Sequence, residues 1–157
     1  MAKDKRVASS AGPLLEEQAF LAILRGADTL QWRLTEMLKP YELSPTQYNA
    51  LRILRGAGKD GLPCQEIGGR MINRDPDITR LMDRLEQRSL VQRSRDSADR
   101  RVIKARISAG GLKLLQSLDG EIEKFHRQLM GHMGERKLEQ LIRLMQESAP
   151  ARERESQ

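Results

Sequence analysis

A chain of 157 residues holds either one domain with its own core or a pair of small lobes. Lysine and arginine number 28 against 22 acidic residues, a formal +6 that fits an anionic partner. One cysteine excludes an internal disulfide framework and suits a reducing cytosol. Aromatic residues make up 3% of the chain, which argues against reading single strands by base stacking. No apolar run approaches the roughly 20 residues of a membrane helix. The opening Met1-Ala2-Lys3-Asp4-Lys5-Arg6 has no apolar stretch behind it and does not read as a secretory signal.

Residues 1–12 are small and polar and read as an arm without regular structure. From Leu14 to Leu38 apolar residues recur at helical spacing (Leu15, Ala19, Ile23, Ala27, Leu30, Leu34, Met37, Leu38), and the helix should stop before Pro40. Ser44-Pro45-Thr46-Gln47 then offers an N-cap, a proline preset for helix entry and a glutamine able to close a capping box. This second helix is expected through Leu54, closed by Gly56 or Gly58, with a turn at Asp60-Gly61. A short third helix spans Cys64 to Met71. Asn73-Arg74-Asp75-Pro76 is the turn into a fourth, with Asp75 as candidate cap.

Ile78, Leu81, Met82 and Leu85 share one face of that fourth helix, and two strands follow, Leu90–Arg95 and Val102–Ile107. Ser108 is placed to cap a fifth helix running to about Met130, with Leu115, Leu118, Ile122, Phe125 and Leu129 at spacings of three and four. Gly131 and Gly134 break it, and a last helix carries Leu138, Leu141, Ile142 and Met145 before a charged tail at 150–157. The fold expected is mainly α with a small β-hairpin. A winged helix-turn-helix lobe occupies about 44–108, and helices at about 14–39 and 109–149 are left to pair two copies, all within a single domain of residues 13–149. The dimerisation candidates are Leu15, Ala19, Leu118, Ile122, Phe125, Leu129, Leu138, Leu141, Ile142 and Met145. Folding of these stripes back within one chain is the alternative.

Charge gathers beside the fourth helix. Between Arg84 and Arg106 stand eight basic residues (Arg84, Arg88, Arg93, Arg95, Arg100, Arg101, Lys104, Arg106) against Glu86, Asp96 and Asp99, a net +5. A short helix fits the DNA major groove, and a basic hairpin beside it can reach the backbone or minor groove. The polar face of the helix carries Asp77, Thr79, Arg80, Asp83 and Arg84. Arg80 suits a bidentate contact to guanine, and Thr79 a thymine methyl or a phosphate. Arg84, Arg93 and Arg95 suit phosphates, and Arg74 in the preceding turn joins the DNA-contact candidates. Asp83 must pair with a nearby arginine, while Asp77 either accepts from a cytosine amino group or supports the helix start. At the hairpin tip Asp99 can brace a neighbouring guanidinium. Arg100 and Arg101 compete for the minor groove, and strand alternation would point them to opposite sides.

The run Ile78-Thr79-Arg80-Leu81-Met82-Asp83-Arg84-Leu85-Glu86, followed by Leu90-Val91, Asp99-Arg100-Arg101, Ile107-Ser108 and Gly111, resembles the MarR family of bacterial transcriptional regulators. Leu43-Ser44-Pro45-Thr46-Gln47-Tyr48 and Leu51 are similar to its second helix, and the likeness in order and spacing covers roughly Leu14 to Met145. The resemblance implies a triangular homodimer built on the first, fifth and sixth helices, binding a pseudo-palindromic operator, usually as a repressor. It also implies, for many members, release of DNA when a small, often aromatic and anionic, effector binds between the lobes, while other members sense oxidation or metals. Trp32, Met37, Tyr41 and Tyr48 are candidates for that pocket or for core. Two departures stand out: Ile72-Asn73-Arg74-Asp75-Pro76 replaces the usual glycine and small hydroxyl residues, and Gly68-Gly69 is expected to loosen the third helix.

Other chemistry finds little footing. A helix N-terminus and nearby arginines could lower the pKa of Cys64, but the oxidation-sensing relatives carry their cysteine near the start of the first helix, where this chain has none. His126 and His132 do not share a helix face and one cysteine is available, so no metal site is expected; with no Gly-rich phosphate loop and no supported Ser/His/Asp set, neither an enzyme nor a cofactor is expected. The partners expected are double-stranded DNA, a second copy of the chain and a small-molecule effector, with no membrane. A winged module for protein contacts and a non-specific DNA-binding protein are the alternatives.

Overall fold

The structure, a computed structural model, describes residues 12–72, 77–96 and 99–148. The expected arm and tail therefore lie almost wholly outside the described residues. Two compact units divide the chain, Met1–Tyr48 and Asn49–Gln157.

The first unit holds α1 (Leu15–Leu38), a 3-10 turn at Lys39–Tyr41 and the start of α2 (Pro45–Ala57). Pro40 sits at the opening of the 3-10 turn, where its missing N–H leaves no bond unmade. The turn closes on Glu42 in the left-handed region (φ 54°), whose N–H donates to the Lys39 carbonyl at 3.0 Å. The capping box then forms as its residues dictate. Gln47 N–H donates to Ser44 Oγ at 3.1 Å, and Ser44 N–H donates to Gln47 Oε1 at 2.9 Å. Leu38, Leu43 and Tyr48 are buried, whereas Leu15, Phe20, Leu24 and Trp32 along α1 are exposed.

The second unit takes up the rest of α2, which runs to Ala57 and is ended by Gly58 at φ +70°. It continues through β1 (Leu62–Pro63), α3 (Cys64–Arg70), α4 (Ile78–Gln87), β2 (Val91–Arg95), β3 (Ile103–Ile107), α5 (Ala109–Met130) and α6 (Glu135–Ser148). The sheet is antiparallel in the order β1-β3-β2, so the expected two-strand hairpin gains a third strand. Leu62 pairs with Ala105, and Val91, Arg93 and Arg95 pair with Ile107, Ala105 and Ile103. The core of this unit gathers Leu51, Leu54, Ile67, Met82, Leu85, Val91, Ala105, Leu115 and Leu118. Leu118 and Ile122 therefore belong to the chain's own core, which corrects their assignment to a contact between copies. A helical stripe announces an apolar face and not what covers it.

Two junctions fix α4 in this frame. At the end of α4, Ser89 N–H donates to the Glu86 carbonyl (2.8 Å) and Leu90 N–H to the Leu85 carbonyl (2.9 Å), a Schellman closure. Ser89 takes the left-handed position at φ 55°, where glycine is usual. At the start of α5, Ser108 Oγ accepts from Gly111 N–H at 3.0 Å and donates to the Ser89 carbonyl at 2.6 Å. Gly68 lets α3 and α4 approach closely, since a Cβ there would stand 3.2 Å from Ile78 Cγ1. The glycine expected only to loosen α3 thus has a packing role.

Candidate nucleic-acid interface

The start of α4 is held by Asp77 rather than by the expected Asp75, which lies with Asn73, Arg74 and Pro76 outside the described residues. Asp77 Oδ1 accepts from Arg80 N–H at 3.1 Å, and its Oδ2 stands 3.2 Å from Arg80 Nε. One carboxylate thus caps the helix and leans on the guanidinium that the sequence nominates for base reading. Arg80 is still 79% exposed at its side chain. Thr79 and Arg84 are exposed on the same helix.

Arg93 departs from its expected place on phosphate. Its guanidinium lies 2.6 Å from Asp83 Oδ1 and 2.7 Å from Glu86 Oε2, its Nε donates to Glu86 Oε2 at 2.9 Å, and its backbone N–H donates to Glu86 Oε1 at 3.0 Å. The side chain is only a quarter exposed. A guanidinium flanked by two carboxylates is already neutralised, and Asp83 has found the arginine it needed. Nothing local in the sequence marks Glu86 as an anchor, because its partner lies across the turn on another element.

Hydrogen bonds from the Arg93 side chain and backbone, in that order, hold the Glu86 carboxyl below its ordinary range, and the same contact raises Arg93. Glu86 therefore stabilises the fold fully above the ordinary glutamate value of about 4.5 and loses that contribution as pH falls through its own lower value. Urea midpoints of Glu86→Gln and wild type should differ most at neutral pH and converge in acid. Curves that stay parallel down to about pH 3 would contradict the linkage.

Aspartates organise the described residues of the wing tip. Asp96 pairs with Lys104 across the hairpin, and Asp99 N–H donates to Asp96 Oδ1 at 3.2 Å. Asp99 Oδ1 in turn accepts from the backbone N–H of Arg101 at 2.9 Å. The aspartate expected to brace a guanidinium thus braces an amide, the usual Asx-turn use of a short carboxylate. Arg100 and Arg101 stand in the turn, outside both strands, so the expected alternation does not apply; both are exposed, as is Arg95 on β2. Ile103, opposite Arg95, is 49% exposed, an apolar wing residue the sequence did not single out.

The remaining candidates fall elsewhere. Trp32 is exposed with the Arg33 guanidinium carbon 5.5 Å from its ring, Met37 and Tyr41 are half-buried, and Tyr48 is core. Leu15, Ala19, Ile142 and Met145 are exposed, and Phe125, Leu129, Leu138 and Leu141 half-buried. Burial pushes the Cys64 thiol up, outweighing the opposing pull of Arg93, so the lowered value considered for it is not found. No helix among the described residues is long and apolar enough to cross a membrane.

An antiparallel hairpin following a helix pair, with a short strand paired to its far side, defines a winged helix-turn-helix. Residues 43–103 match the model of the MarR family. A crystal structure of a MarR transcription factor from Planctomyces limnophilus is 38% identical and superposes with a TM-score of 0.68, covering 87% of this chain and 98% of that one. The regulator MhqR of Bacillus subtilis (strain 168) is 29% identical over 99 residues, 63% of this chain and 67% of its own length. A S. aureus MepR–DNA complex has the same fold, with a TM-score of 0.73 at 20% identity over 87% of this chain and 97% of that one. The chain belongs to the MarR family of transcriptional regulators, which are not enzymes.

Proposed function

We propose that this chain acts in the cytoplasm as a homodimeric repressor, each winged lobe meeting one half of a pseudo-palindromic operator, with a small-molecule effector releasing it. The observation that carries the DNA reading is what stays exposed on α4 and the wing, Arg80 included although it leans on Asp77. Thr79, Arg80 and Arg84 remain on α4, and Arg95, Arg100 and Arg101 on the wing. Ten residues of α4 make a rod of about 15 Å, a fair match to the major groove. In this reading Arg80 meets a guanine edge, Arg84 and Arg95 neutralise phosphate, and Arg100 or Arg101 enters the minor groove. Dimerisation is supported by apolar side chains left uncovered on α1, and separately by Ile142, Leu144 and Met145 on α6. Trp32, Met37 and Tyr41 are the proposed effector contacts.

Duplexes selected in vitro by the purified protein supply the test, titrated by fluorescence anisotropy at several salt concentrations. Affinity should fall steeply with salt as counterions leave. Arg80→Ala should cost about 1–3 kcal/mol and relax preference at one base pair. Equal loss on every sequence would demote Arg80 to a phosphate contact, and affinity indifferent to salt would remove the DNA reading.

A further inference from the structure

We infer that Arg93 is a positioning residue: by joining Asp83 and Glu86 on α4 to β2, it sets the angle between reading helix and wing, and so governs discrimination between DNA sequences without touching DNA. The inference rests on the DNA reading above. Its basis is the density of the joint. The forked guanidinium spans two carboxylates one helical turn apart, and Glu86 takes bonds from both the side chain and the backbone N–H of the same arginine. Contacts at two points on a helix and two on a strand residue restrict twist as well as distance.

Three consequences meet there. Asp83 sits between exposed Arg80 and Arg84 on α4, where an uncompensated carboxylate would repel a phosphate backbone, and Arg93 offsets it. Arg95 lies two residues further along β2, on the face that Arg93 directs at α4, because Arg93 pairs with Ala105 and Arg95 with Ile103. Movement at Arg93 is therefore carried to Arg95 and the tip arginines. The Schellman closure at Ser89 fixes where the chain leaves α4, while Arg93 fixes the direction in which β2 then departs.

Two variants of the full chain test this: Arg93→Lys, which keeps the charge but not the fork, and the charge-neutral pair Asp83→Asn with Arg93→Gln. Each is titrated by anisotropy against a duplex selected by the wild type and a shuffled duplex of equal length and composition, well below its own melting midpoint. Both variants should lose about tenfold or more in the ratio of selected to shuffled affinity, with shuffled binding and the salt slope close to wild type. A preserved ratio would reduce the joint to a stability element. A slope shallower by about one unit with the ratio intact would return Arg93 to phosphate contact. A wild type that cannot discriminate the two duplexes removes the DNA reading and this assignment with it; a discriminating wild type with indifferent variants removes this assignment alone.

Discussion

Changing Gly111 to alanine should lower stability by about 2–3 kcal/mol and the thermal midpoint by several degrees. A Cβ at this position would stand 2.3 Å from the Leu90 carbonyl oxygen and 2.7 Å from Ile107 Cγ1. Neither neighbour is free to yield. The Leu90 carbonyl already accepts from Ser108 N–H at 3.0 Å, while its own N–H is bonded into the end of α4. Ile107 is the half-buried last residue of β3 and pairs with Val91, which is itself in the core. The new methyl group must push the start of α5 away from the root of the wing, straining the cap that Ser108 makes to Gly111. Helix propensity alone favours alanine by about 1 kcal/mol, so the clash has to overcome a gain. Gly69→Ala isolates that gain, because nothing lies within 4 Å of its Cβ position on α3. The same chemical change should thus destabilise at one site and stabilise at the other. Differential scanning calorimetry of both variants decides it, and a Gly111→Ala midpoint at or above wild type would contradict the close approach.

The second large effect concerns assembly. Phe20 and Leu24 lie one turn apart on α1 and are 61% and 51% exposed in the single chain. Replacing both with glutamate should turn a dimer into a monomer by light scattering, since two charges cannot be desolvated against an apolar partner surface. Operator affinity should then fall by about 100-fold or more, because linking two half-sites contributes 10²–10⁴ in avidity. Binding to a single half-site should persist at its weak level. A double variant that remains dimeric would move the contact to another surface. A wild type that is itself monomeric would overturn the proposed assembly.

What the sequence disclosed and what it withheld divide along locality. The Ser44–Gln47 box, the stop at Pro40 and the Ser108 cap were legible because each depends on residues within one turn of the chain. The Ile78, Leu81, Met82, Leu85 stripe was legible because helical period reveals an apolar face. β1 was hidden: two residues, one a proline, carry no periodicity, and their partner stands about forty residues downstream. Asp75 and Asp77 are equivalent as caps until the helix start is fixed. Arg93 was misjudged for a different reason. A strand arginine looks the same in sequence whether it faces solvent or reaches a carboxylate on a neighbouring helix, and only tertiary placement separates the two. Leu118 and Leu15 carry the same signal as stripes, yet one is core and the other open.

The small sheet also protects the molecule from its own kind. Its β1 border includes Pro63, which brings no amide hydrogen for a newcomer to accept, and along the β2 border the Arg93 N–H is already held by Glu86. A foreign strand approaching from either flank meets an obstructed hydrogen-bonding row. Such a sheet offers a poor template for growth by strand addition.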